Sequence, residues 1–396
     1  MSLIWASAPA AELAIRAEAL WPVSGPVIPD GVVLIEGDRI VAVGPADEVP
    51  IPEGIEVLSG AVVTPGLIDG LSTAGLTGIL NQPSDQDHRE PLAPVQPQLR
   101  AGDGFDPWEE LVGWVRGHGV TALHVGPSPG PVVAGRTAVV DTRPAPLSQI
   151  ALEPDAMVLF SLGELPKRAF GDRGAATRMG TAALVRQALT DAREYGARRR
   201  LPLADRPPVE LGLEALLEVL ERKRRALFHA HRADDLLTAL RIGEEFGLDV
   251  VLAGAAEGYL VAEEIAAAGV PVVVGPVMLR GWQQGEQANA SFANASILAD
   301  AGVQLGLMSG YEGYVPKVRV VLWEAAIAAA NGLGPARALE ALTLGNASIL
   351  GLDETLGTLS VGKRADLAVF DGDPFEYTSH VCAVVVAGQR VSDTCR

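Results

Sequence analysis

Short apolar runs alternate with helix-patterned stretches through the middle of this chain, and that alternation restricts the fold more than any other feature. Residues 67–71, 121–125, 157–161, 226–230, 249–253, 271–275 and 303–308 are β-branched or continuously apolar. Strands buried on both faces read this way, because helices cover a parallel sheet on either side. Between the runs, Val185, Leu189, Ala192 and Tyr195 share one helical face, and Leu236, Leu240 and Phe246 hold most of another. Pro335 suits the first turn of a helix running to Leu344. Repeated strand–helix units predict an α/β fold with a parallel sheet, and about 285 residues of them suit a (β/α)8 TIM-like barrel. Seven strands stand out; residues 137–141 supply either the eighth or an inserted hairpin.

The two ends differ from the middle. Residues 32–35 and 39–43 flank Gly37-Asp38, a glycine-first pair that fits a tight hairpin. Residues 366–370, 381–387 and 388–391 read as further short strands. Termini lie close together in most domains, so these ends are expected to join. The predicted domains are a composite β-sandwich of residues 1–65 and 351–396, and a barrel of residues 66–350. Residues 82–106 are polar, rich in proline and without periodicity, as in a functional lid over the top of a barrel.

Charge and composition narrow the partners. Among 396 residues, 31 Lys and Arg face 49 Asp and Glu, a formal charge of −18. Nucleic acid and anionic membranes would repel such a surface, and a small-molecule ligand or substrate is the expected partner. No run of 18 apolar residues offers a membrane span. Cys382 and Cys395 exclude a disulfide scaffold or a cysteine-rich metal site. They read as two free thiols, with one C-terminal bridge as the alternative. The Ala-rich start lacks a basic n-region, so cytoplasm is the default location. An exported protein whose signal peptide has been removed is the other possibility.

Several motifs resemble the amidohydrolase superfamily, in particular its imidazolonepropionase-like branch. Val63-Thr64-Pro65-Gly66-Leu67-Ile68-Asp69 matches the entry strand, and Gly362-Lys363-Arg364-Ala365-Asp366-Leu367 with Asp371-Gly372-Asp373-Pro374 matches the return to the terminal sandwich. Thr177-Arg178-Met179-Gly180 and His229-Ala230-His231 agree as well. The resemblance implies hydrolysis of non-peptide C–N bonds by metal-activated water, with an Asp moving the proton. It also leaves a homo-oligomer open.

The family's ligands are mostly replaced here. Its His-x-His pair would fall on Leu71 and Thr73, and its sixth-strand His on Gly254. No carboxylate lies between Leu305 and Gly310, where the late Asp belongs. His229 and Glu164 remain, and two donors are too few for a catalytic zinc site. The expected state is therefore a relative without the usual dinuclear-metal activity. One alternative is a rebuilt mononuclear site for a divalent metal such as zinc at His124, Glu164 and His229, with His231 as a weaker fourth member. The other is a non-catalytic binding or assembly subunit, with His and Glu in a plain polar pocket. Arg178 and Tyr311 are candidate substrate contacts; Glu312, Tyr314, Lys317 and Arg319 continue that loop. Ser72, Ser161 and Ser309 lie near strand ends but in no nucleophile motif, and His88 reads as solvated on its loop.

Overall fold

The computed structural model describes residues 11–278, 285–311 and 321–395. In chain order the first strands are β1 (Leu13–Leu20), β2 (Ile28–Glu36), β3 (Arg39–Pro45), β4 (Glu56–Pro65), β5 (Leu67–Ser72), β6 (Val120–Val125), β7 (Val133–Arg136), β8 (Ala138–Asp141) and β9 (Ala151–Glu153). They are followed by β10 (Met157–Ser161), β11 (Arg225–Ala230), β12 (Val250–Gly254), β13 (Val272–Val274), β14 (Leu305–Leu307), β15 (Leu367–Phe370), β16 (Val381–Val386) and β17 (Gln389–Ser392).

Both ends of the chain build one seven-stranded sheet, in the order β17-β16-β15-β4-β1-β2-β3. The hairpin between β2 and β3 turns on Gly37, whose φ of 56° is left-handed. Antiparallel pairing of β15 with β4 ties the C-terminal segment to the N-terminal one. One face packs Ile15, Val33, Ile35, Val63, Leu367 and Val385 together. The return from β16 to β17 also brings Cys382 to Cys395, and the two form a disulfide. They are not the free thiols the sequence suggested.

Between these ends the fold is mixed α/β. Strands β10 to β14 run parallel in register, and β5 pairs parallel with β6. A parallel bridge from Ser72 to Gly310 joins β5 to the chain just after β14. The remaining gap, between β6 and β10, is filled by β8 and β7, which pair antiparallel with β6 and β10 respectively. Residues 137–141 thus belong to an inserted antiparallel element, and β8 pairs onward with β9. These pairings make two sheets, β14-β13-β12-β11-β10-β7 and β5-β6-β8-β9, linked by the Ser72–Gly310 bridge, an arrangement consistent with a TIM-like barrel. Inside it Leu71, Leu159, Leu227, Val251, Ala253, Val273 and Met308 form an apolar filling. Outside, helices such as Arg178–Arg199 and Ala233–Phe246 bury Val185, Leu189, Leu236 and Ile242 against the strands.

The stretch 82–106 is pinned along the ring. Bridges join Val95 to Val133 and Arg100 to Arg136, and Arg100 pairs with Asp155. His88 is half-buried rather than solvated: its Nδ1 lies 2.9 Å from Ser128 Oγ and its ring 5.0 Å from that of Tyr311. Among the described residues no helix is long and apolar enough to cross a membrane.

Candidate functional site

Parallel strands deliver side chains to one end of the sheet, at their carboxyl ends, where barrel active sites lie. Leu71 sits in the apolar filling just described and is 5% exposed. Thr73 is buried, with its hydroxyl 3.3 Å from that of Thr77 and its carbonyl accepting from Thr77 at 3.0 Å. At Gly254 the backbone φ is 91°, and a Cβ there would lie 2.9 Å from the Ala230 carbonyl oxygen and 3.0 Å from the His231 ring. The volume that a side chain at 254 would enter is therefore occupied by His231. Between Leu305 and Gly310, Ser309 donates to Asp69 from its backbone N at 2.9 Å and from its hydroxyl. Burial pushes the Asp69 carboxyl up to about 7 against those bonds, with Glu324 adding to the rise.

His124 is fully buried near the end of β6. Its Nδ1 lies 2.8 Å from the Gly70 carbonyl oxygen and its Nε2 2.7 Å from Thr137 Oγ1. Burial pushes its pKa down to about 4, so the ring is neutral. A carbonyl only accepts, which makes Nδ1 the donor and leaves Nε2 accepting from the Thr137 hydroxyl. No lone pair is left for a metal.

Glu164 opens the helix Glu164–Phe170 and its side chain joins an ion-pair network. Lys167 and Arg178 both donate to its Oε1. The hydrogen bond from Lys167 first, then the charge of Lys167 and Arg178, holds the Glu164 carboxyl below its ordinary value against its partial burial. Arg178 also reaches Asp235 at 2.9 Å and Glu286 at 2.6 Å, so one guanidinium ties the starts of two helices to the loop that carries Glu286. The Glu164 backbone N donates to Glu286 as well, at 2.9 Å. This packing needs Gly163, where a Cβ would stand 2.8 Å from Glu286 Oε2 and 3.2 Å from Asp235 Oδ2. Glu286 is pushed up to about 7, by burial first and then by the charge of Asp235. Asp235 and Glu286 were missed in the sequence. The candidate substrate contact Tyr311 packs on His88, away from this network, while Glu312, Tyr314, Lys317 and Arg319 lie outside the described residues.

His229 differs from all of these. It pairs in register with Ser161 on β10, two residues above Leu227 and Leu159 on the inner face. His229 is 5% exposed and Ser161 fully buried, yet His229 Nδ1 and Ser161 Oγ have no hydrogen-bond partner. The His231 ring meets that of His229 edge-on, with centroids 4.8 Å apart. Burial pushes His229 down to about 4.

A metal pair of the kind the resemblance implies does not fit these residues. Leucine and glycine offer no donor, the Thr73 hydroxyl faces Thr77, and both His124 nitrogens are engaged. Among the described residues no three His, Cys, Asp or Glu side chains form a group able to hold a metal ion.

Comparison with known proteins places the chain among relatives of the same architecture. A profile of the Amidohydrolase family matches residues 327–392, and one of the bacterial imidazolonepropionase-like composite domain matches residues 31–50. The amidohydrolase TasK of Hapsidospora irregularis is 26% identical over 386 residues, which cover 87% of this chain. The chain spans only 38% of that relative's length. An adenosine deaminase from Xanthomonas campestris, with bound zinc, shares 19% identity over 97% of this chain and 93% of its own, at a TM-score of 0.58, a likeness of fold alone. An amidohydrolase from Thermotoga maritima is 30% identical, with 96% of this chain and 100% of that one covered at a TM-score of 0.90. With that degree of identity over nearly its whole length, and with both profiles agreeing, the chain belongs to the amidohydrolase superfamily, in its imidazolonepropionase-like branch.

Proposed function

We propose that this chain is a (β/α)8-barrel amidohydrolase relative, residues 66–350, with a composite β-sandwich from residues 1–65 and 351–396, in which the mouth of the barrel binds a small molecule without metal-assisted hydrolysis. The observation that carries this reading is the filling of the family's ligand positions. Leu71 is part of the apolar interior, and the His231 ring stands where a side chain at 254 would go. Activated water needs at least three protein donors around the metal, and burying a cation beside leucine without them is unfavourable. The mononuclear reading draws no support from His124, whose two nitrogens are both hydrogen-bonded. The role that fits is non-catalytic binding, with neither nucleic acid nor membrane as partner. The Cys382–Cys395 bond favours an oxidising compartment, and so the exported alternative over the cytoplasmic one.

Metal analysis of protein purified without chelator, before and after incubation with Zn²⁺ and dialysis, tests this directly. The expected content is below about a tenth of an equivalent per chain, with no turnover of amide, lactam or ring C–N substrates. About one zinc, iron or manganese per chain, lost in His229→Ala, would sink the reading.

A further inference from the structure

Burying a polar atom without a partner costs about 1–3 kcal/mol, and two such atoms side by side need an explanation. Ser161 Oγ and His229 Nδ1 are in that position, on paired residues of neighbouring strands at the carboxyl end of the ring. Other buried polar side chains at this end are satisfied: His124 has two partners, and Asp69 accepts from Ser309 and Leu71. Arg136 Nε and Asn346 Oδ1 also lack partners, but on side chains bonded through their other atoms. The two unpartnered atoms also complement each other chemically. A hydroxyl donates or accepts, and a neutral imidazole nitrogen does one or the other according to its tautomer.

We propose that Ser161 and His229 form one hydrogen-bonding subsite that receives a single uncharged group able both to donate and to accept, such as an amide or an alcohol. This rests on the reading above, in which no metal occupies His229. The surroundings select against charge of either sign. Beneath the pair lie Leu159, Leu227, Val251 and Ala253, which offer an ion no solvation. A free cation brought into this buried site would lose its hydration with no carboxylate on Ser161 or His229 to replace it. An anion would also come near Glu164, Asp235 and Glu286, beyond Ser161, three carboxylates against the two cations Lys167 and Arg178 that bind them.

Three probes of similar size separate these cases: acetamide, acetate and methylammonium, titrated into chelator-treated protein carrying ¹⁵N-labelled histidine rings. The His229 signals are assigned with His229→Gln. Acetamide is expected to shift the His229 Nδ1 resonance saturably, while acetate and methylammonium leave it in place. Ser161→Ala should weaken acetamide binding about 3–10-fold, the equivalent of one neutral hydrogen bond, with an unchanged melting temperature as the control for folding. Absence of a saturable acetamide shift, which would mean that water alone completes the pair, overturns the proposal. So does equal binding of a charged probe, or of acetamide to the Ser161→Ala variant. Metal analysis on the same preparation keeps the two ideas apart. Bound metal sinks the non-metal reading whatever acetamide does, whereas a metal-free protein blind to acetamide sinks only the subsite.

Discussion

His124 and His229 stand one residue from the ends of β6 and β11, at the same end of one ring. Both are buried, and both are held neutral with a pKa near 4. They differ in their bonds: His124 engages both nitrogens with Gly70 and Thr137, whereas His229 leaves Nδ1 without a partner. Burial and pKa would rank the two equally as functional candidates, so neither observable distinguishes structure from function here. Counting hydrogen bonds does. A satisfied buried imidazole holds two strands in place, and an unsatisfied one is maintained at a standing cost that packing does not explain.

The same substitution at both positions gives the strongest test. His124→Leu strands the Gly70 carbonyl in a buried site, at about 1–3 kcal/mol, and costs the Thr137 hydroxyl one of its bonds while Met157 N still donates to it, so a loss of about 2–4 kcal/mol is expected. His229→Leu removes a group that has no bond to lose and adds apolar contact with Leu227 and Leu159, so its effect should stay within about 1 kcal/mol of zero. Urea denaturation with unchanged m-values measures both. Equal losses would erase the contrast between the two histidines and return His229 to the class of satisfied core residues.

A smaller effect is expected at Gly254, where the His231 ring fills the space a side chain would enter. Gly254→Ala places a Cβ against the Ala230 carbonyl and the His231 ring at a φ of 91°, at a cost of about 1–3 kcal/mol. Adding His231→Ala clears the ring but leaves the backbone strain, so the double variant should recover about 0.5–1 kcal/mol of that loss. A Gly254→Ala change without measurable cost would mean that the position still admits a side chain, and would reopen the family's ligand geometry.

Much of this architecture could be read directly from the residues. Continuous apolar runs marked the parallel strands to within a residue or two, since a strand covered on both faces has no other composition available. Residues 133–136 escaped notice because β7 is short and contains Gly135 at a φ of 128°. The places of Leu71 and Thr73 followed from the sequence too, because the count from Asp69 is fixed along one strand. The Arg178 network was not, since Glu286 lies 108 residues from Arg178 and the pairing depends on how two loops meet. Nor could sequence tell the satisfied His124 from the unsatisfied His229; their partners, Gly70 and Thr137 against none, are set by the ring's closure. Cys382 and Cys395 were misread because their approach follows from the β16–β17 return, not from their spacing of 13 residues.

A last contrast, in pH, sets the two sides of the mouth against each other. Asp69 rises from an ordinary 3.8 to about 7 in the folded protein. The stability it contributes is therefore complete below 3.8 and is lost as pH rises through about 7. His229 moves the other way, from 6.5 to about 4, and its contribution is present above 6.5 and lost as pH falls through about 4. Each proton changes stability by at most about 1.4 kcal/mol per pH unit, and between 4 and 6.5 the two slopes oppose each other. Relative to the native chain, Asp69→Asn should gain stability as pH rises through that window, and His229→Leu should lose it. Differences between variants cancel the titration of all other groups, so denaturation curves at three or four pH values suffice. If both differences run in the same direction, the two sides of the mouth do not titrate as their burial requires, and the assignment of His229 as a neutral, desolvated hydrogen-bonding group fails with them.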